Sequence, residues 1–261
     1  MNDKGYKILS GDISLKHGAA VLANVTPENE VIVKAIFTYG SSIRDAKYFK
    51  EHPILEYKGV KIKMFHYYSK YQSMKKFTQD FEMEDVDNYN MYRILWIKKI
   101  FASIYKASEP DYFVVEGPII SFTKSTGNKE LLELNHLIRH FFFINGVRIR
   151  IHDPSTLKYY LHVKDVKNKR DVVNTCYFKW GFNIAPNIEE STSLTLVGDI
   201  HDAYALMQLC KQEIDLRAGK AYLQDLDEHE IRVFNRTSHM YPVNILGREW
   251  IQYIKEKNLS R

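Results

Sequence analysis

The chain has 261 residues, enough for one large domain or for a core with appendages. With 45% hydrophobic and 26% charged residues it is neither disordered nor fibrous, and its formal net charge of +5 does not by itself name a partner. Its two isolated cysteines, Cys176 and Cys210, exclude a disulfide framework and a cysteine zinc site.

The N-terminus is polar and charged, without the apolar stretch of a signal peptide. The apolar runs, such as Phe141–Ile144 and Ala19–Ala23, are far too short to span a membrane. These features imply a reducing, cytoplasmic setting without membrane partners. Richness in Lys, Asn, Ile and Tyr suits an AT-rich genome, such as a bacteriophage's, in which case the setting is the host cytoplasm.

Taken in chain order, Tyr6–Leu15, Gly18–Val25 and Val31–Tyr39 are rich in β-branched and aromatic residues and separated by short polar turns. They read as a three-stranded antiparallel meander. A basic and aromatic block, 41–83, follows without clear periodicity. Between Arg44 and Lys76 it holds nine Lys/Arg against three acids, interleaved with Tyr48, Phe49, Tyr57, Phe65, Tyr67, Tyr68 and Tyr71. Such a mixture suits a nucleic-acid surface, and equally a solvated loop.

A helix is expected from about Asp87 or Asn88, carrying Ile94, Ile97, Phe101 and Ile104 at helical spacing until Glu109–Pro110 stops it. The run YFVVEGP, from Tyr112, is a buried parallel strand. Gly127–Asn145 is a second helix and Val147–His152 a fifth strand, broken by Asp153–Pro154. Asp165–Trp180 and Asp199–Leu216 complete the helices. This order predicts an α/β fold, a mixed five-stranded sheet flanked by helices. Residues 1–216 form the domain, with 41–83 as an insertion, and 217–261 form a C-terminal appendage.

Four carboxylates carry the chemistry. Asp12 lies within the first strand, where a charge is costly unless paired or bound to a cation. Glu116 ends the fourth strand, and the carboxyl ends of parallel strands are where open α/β sheets place ligands. Asp199 and Asp202, three residues apart, share one helix face. Brought together, four acids repel. Two divalent ions would neutralise them and set up in-line phosphodiester hydrolysis.

Taken singly, Asp199 after Gly198 also fits a helix N-cap, and Glu116 a surface strand end. Asp12 is the hardest to explain structurally. His201, between the two helix acids, reads as a helix-surface residue, the alternatives being a role in proton transfer or as a metal ligand. Asp153 reads as an Asp-Pro turn, Lys16 and His17 as a hairpin turn that could touch phosphate, and Tyr67, Tyr68 and Tyr71 as candidate stacking residues.

These residues resemble the RuvC family of Holliday junction resolvases, within the ribonuclease H-like superfamily. The matching pieces are GDISLKHGAAVL, FVVEGP and DIHDAYALM. Pro154, followed by Lys158 and then by Lys169 eleven residues on, matches the family's spacing of a proline and two lysines. The resemblance spans about 6–40 and 88–216. It implies a ribonuclease H-like fold and a Mg²⁺-dependent endonuclease with two ions per site, for which Mn²⁺ would substitute. Asp12, Glu116, Asp199 and Asp202 would hold the metals. Lys169 would serve the catalytic site, and Lys158 and Lys169 would bind DNA, joined by Lys16, Tyr67 and Tyr68. The substrate implied is a four-way DNA junction, cut by paired symmetric nicks. HVKDVKNK stands where the family has a glycine-rich turn, the segment 41–83 is much longer than a minimal member needs, and 217–261 has no counterpart in the minimal core.

The residues themselves also suggest a homodimer. Helix 127–145 is apolar on more than one stripe, so one face can meet the sheet while another is left for a second protomer or for the C-terminal appendage. The resemblance puts the family's dimer contact on the same helix. Two other functions remain open. One is a ribonuclease H-like nuclease acting on flaps, branched replication intermediates or RNA–DNA hybrids; the other is a branched-DNA-binding protein that does not cut.

Overall fold

The computed structural model describes residues 5–40, 43–52, 55–66, 83–117, 127–162, 169–187, 194–235 and 250–251. Its strands are β1 (Tyr6–Asp12), β2 (His17–Val25), β3 (Val31–Gly40), β4 (Leu55–Tyr57), β5 (Val60–His66), β6 (Tyr112–Glu116) and β7 (Arg148–His152). They form one sheet in the order β4-β5-β3-β2-β1-β6-β7. The helices are α1 (Ile43–Glu51), α2 (Met83–Ser108), α3 (Gly127–Ile144), α4 (Pro154–Tyr160), α5 (Lys169–Trp180), α6 (Leu194–Arg217) and α7 (Glu228–Phe234).

The five expected strands are present as β3-β2-β1-β6-β7. β2 runs antiparallel to both neighbours, and β1, β6 and β7 run parallel. The sheet is mixed, as expected, but among the described residues it has seven strands where five were expected. The added pair comes from the basic block. Val60, Ile62 and Met64 alternate with Lys61 and Lys63 and turn their apolar side chains into the core. Lys58 and Gly59 both have positive φ, +47° and +80°, as a two-residue hairpin turn requires. β5 then pairs in parallel with β3.

Alternation along each strand divides the interior. Ile8, Val21, Ile36 and Val114 face a layer made by α4, α5, α6 and α7. Leu9, Phe37, Phe113 and Val115 face α2 and α3. In the second layer Phe113 and Phe142 stack at 4.1 Å, and Phe101 meets both rings edge-on. Each side chain so buried is worth about 1.5–3 kcal/mol.

On α3, Leu134, Ile138 and Phe142 are buried. Part of its second stripe meets α2, where Tyr105 packs edge-on to Phe141 and Phe142. Leu132 and Ile144 stay exposed, at 42% and 52%.

The described residues after 217 join the opposite layer. Val233 and Phe234 are buried there, Trp250 packs edge-on to Tyr112, and Ile251 pairs its backbone with Ile149 of β7. Cys176 and Cys210 are buried free thiols. Among the described residues no helix is long and apolar enough to cross a membrane.

Two helix starts depart from expectation. α6 begins at Leu194, five residues before Asp199, so Asp199 lies inside the helix and does not cap it. Asp153–Pro154 ends β7 but also opens α4. Asp153 caps this helix by accepting from Ser155 N at 2.8 Å, with proline in its first turn.

Candidate functional site

The period of two that sorts the core also aims the first two acids. Asp12 follows Ile8 and Ser10 on the α6 side of β1, and Glu116 follows Val114 on the α6 side of β6. The parallel register pairs Gly11 with Val115, which makes Asp12 and Glu116 the next neighbours at the carboxyl edge of the sheet. Against this face lies α6, anchored by fully buried Ile200, Ala203 and Leu206. Its second and third turns supply Asp199, 1% exposed, and Asp202.

Asp12, Asp199 and Asp202 each present a carboxylate oxygen within 4.8 Å of the other two. Glu116 stands outside this triad but within its field. Burial and then the charge of Asp202 push its pKa up to about 8, against the pull of Lys158 and Lys169. Burial raises Asp202 to about 6, with Lys169 opposing and Asp199 reinforcing the shift. Asp12 is driven well above the usual carboxylate range by burial, then by Asp199, Asp202 and Glu116. These acids hold more negative charge than the protein around them neutralises. An all-carboxylate donor set at this spacing fits a hard divalent cation.

Two cations answer part of that charge. Lys169, at the first position of α5, donates to Asp199 Oδ1 and lies 3.9 Å from Asp202 Oδ2. Burial opposes the charge on this lysine, but Asp199, then Asp202 and Asp12, outweigh it and raise its pKa. Its stem crosses α6 at Gly198, where a Cβ would come within 2.3 Å of Lys169 Cδ. A helical glycine costs about 0.5–1 kcal/mol relative to alanine. Here it leaves room for the lysine. Lys158, half-buried on α4, holds down both Glu116 and Asp202.

The four predicted acids and both predicted lysines therefore converge. Lys16 is exposed in the β1–β2 turn. Tyr67, Tyr68 and Tyr71 lie outside the described residues. Asp153 is held as a helix cap.

The expectation of a helix-surface histidine at 201 is overturned. His201 is fully buried, with Nδ1 2.7 Å from the Val197 carbonyl and its ring edge-on to Phe182. Burial lowers its pKa to about 4. It lies two positions from Asp199, so helical geometry turns it toward the core, away from the acids.

One histidine named as a turn residue meets a site acid instead, and a second was missed. His17 opens β2, and its Nδ1 is 2.5 Å from Asp199 Oδ2. His152 ends β7, fully buried and in register beside Glu116. Residue spacing gives no signal for the first, whose partner is 182 positions away. The second is legible only once β6 and β7 are paired in register.

No protein-family model matches the sequence, nor does any curated protein. Among solved structures, a likeness is found to Thermus thermophilus RuvC in complex with Holliday junction substrate. The TM-score is 0.48 at 11% identity, covering 82% of this chain and 98% of that one. Another T. thermophilus RuvC structure gives 0.45 at 11% identity, over 78% and 97%. The yeast mitochondrial Holliday junction resolvase Ydc2 gives 0.35 at 13% identity, over 78% and 83%.

Proposed function

We propose that the protein is a divalent-metal-dependent endonuclease that resolves four-way DNA junctions. One observation carries this reading: three carboxylates from two elements lie within 4.8 Å of one another beside Glu116, at the carboxyl edge of parallel strands. Asp12, Glu116, Asp199 and Asp202 would hold two ions, Mg²⁺ or its substitute Mn²⁺. Bound there, the ions supply an activated water and charge stabilisation for the phosphoryl oxygens.

The chain's own residues do the rest. Lys158 and Lys169 flank the acids and would position a phosphate, with Lys16 on the adjoining turn as a further backbone contact. The packing of β1, β6 and α6 fixes where the carboxylates stand, so the cluster is assembled before substrate arrives. The exposed Leu132 and Ile144 on α3 support a homodimer through that helix, which would set two sites for paired nicks.

Replacing Asp12 by Asn should abolish Mg²⁺-dependent cleavage of a synthetic four-way junction while leaving binding intact. Cleavage that survives the change overturns the assignment. Flap, hybrid and junction substrates run side by side separate a resolvase from another nuclease of this fold. Binding without turnover on any of them would identify a non-cleaving junction-binding protein.

A further inference from the structure

We propose that His17 is a positioning residue for the metal-binding carboxylate Asp199, and so a determinant of divalent-ion affinity. The inference rests on the metal-site reading above and extends it to a residue on the β1–β2 hairpin.

Asp199 is almost fully buried, and both of its oxygens are engaged. Lys169 Nζ donates to Oδ1, and His17 Nδ1 lies 2.5 Å from Oδ2. An ionised carboxylate only accepts, so the proton in the second contact belongs to Nδ1. Each carboxylate oxygen has two lone pairs. A donor on Oδ2 therefore leaves room for a cation while fixing the plane of the group. Without the two donors, rotation about the last torsion of the side chain is opposed by packing alone, since that torsion is intrinsically broad.

The hairpin is built to hold His17 in place. Tyr39 Oη donates to the Ser14 carbonyl at 2.8 Å and accepts from Ser14 N at 3.1 Å. Ser14 Oγ in turn accepts from the backbone N–H groups of Lys16 and His17 at 3.3 and 3.4 Å. Gly18 lets the turn close, because a Cβ there would lie 2.5 Å from both Tyr39 Oη and the Asp12 carbonyl. Trp96 packs edge-on to Tyr39 at 6.1 Å. The ring of His17 thus projects from a braced turn onto a carboxylate delivered by α6. Hydrogen bonds made to ligating carboxylates are worth about 10–100-fold in metal affinity.

The test is calorimetric titration of the full chain with Mn²⁺ in the absence of DNA, so that it does not depend on nuclease activity. His17→Ala should weaken binding about 10–100-fold. His17→Asn places an amide donor near the position of Nδ1 and should restore most of the affinity. His17→Gln reaches toward the Nε2 position and should not. Thermal midpoints in EDTA show that each variant is folded.

If Ala, Asn and Gln are equally weak, ring bulk rather than the donor matters, and the inference falls. If His17→Ala binds as tightly as the unaltered chain, the inference falls while the metal site stands. If the unaltered chain binds no Mn²⁺, both fall together.

Discussion

Helix α6 carries buried carboxylates toward both ends, and the two ends handle their charge in opposite ways. Near its C-terminus, Glu213 is fully buried and meets two guanidinium groups. Arg150 of β7, also fully buried, donates to Oε2 from Nε at 2.8 Å and to Oε1 from its terminal amine, and Arg217 Nε adds a contact at 3.0 Å. Trp250 lies over both guanidinium groups, 4.2 and 5.6 Å from its ring centroid. Near the N-terminus the balance is reversed. Asp199 and Asp202 join Asp12 and Glu116, with Lys169, Lys158 and His17 in support, and three of the acids remain shifted upward. One cluster is complete without help from outside the chain; the other has charge left over for a cation. Charge imbalance, more than burial, separates a candidate cation site from a structural ion pair on the same helix.

The comparison breaks most visibly in stability. Glu213→Gln leaves Arg150 in the interior without its counter-charge and should cost about 3–5 kcal/mol in denaturant unfolding. Replacing Arg150 by Met and Glu213 by Leu together should recover most of that loss, since no buried charge is then stranded. The acids at the other end should behave in the opposite sense. In EDTA, Asp12→Asn removes like-charge repulsion and should raise stability by about 1 kcal/mol or more. A loss comparable to that of Glu213→Gln would mean that the triad is as well compensated as the ion pair.

Divalent ions sharpen the same contrast. At one hundred times its dissociation constant a ligand stabilises the folded state by about 2.7 kcal/mol, and Mn²⁺ should do so for the unaltered chain and not for Asp12→Asn. The sign of the pH dependence follows from the raised acids. Their folded pKa values exceed the unfolded ones, so the stability they contribute is full below the unfolded pKa and lost as pH rises through about 6 for Asp202 and about 8 for Glu116. In EDTA the thermal midpoint should fall across this window. With Mn²⁺ the trend should invert, because the ion binds the deprotonated acids. A midpoint independent of pH in EDTA would contradict the electrostatic picture of the site.

How much of this was legible in the sequence depended on the distance over which each signal acts. The acids could be read because strand alternation and helical spacing aim Asp12, Glu116, Asp199 and Asp202 locally, and element order brings them together. Lys158 and Lys169 were marked only by the family resemblance, whose proline and lysine spacing they match, and not by any local pattern of their own. By contrast, the start of α6 was misjudged because Gly198–Asp199 has the local form of a cap, although Leu196 and Val197 are buried one turn earlier. Strand β5 was hidden by its lysines, despite the alternation of Val60, Ile62 and Met64. The Arg150–Glu213 pair and the His17–Asp199 contact span 63 and 182 positions, and no local pattern marks either. His201 misled for a related reason. Its neighbours in sequence are the site acids, but its neighbours in space are Val197 and Phe182.

The smallest effect on stability should come from Gly198, and it isolates chemistry from folding. Alanine gains about 0.5–1 kcal/mol over glycine in a helix interior. Here its Cβ would press on the Lys169 stem, a flexible group that can move aside. Gly198→Ala should therefore leave the unfolding midpoint unchanged or slightly higher. The displaced ammonium would no longer sit between Asp199 and Asp202. Junction cleavage should drop about tenfold, corresponding to 1.36 kcal/mol of transition-state stabilisation. A cleavage rate equal to that of the unaltered chain would mean that Lys169 neutralises the acids without aligning the phosphate. The site would then share with the Glu213 cluster its use of cations for stability alone.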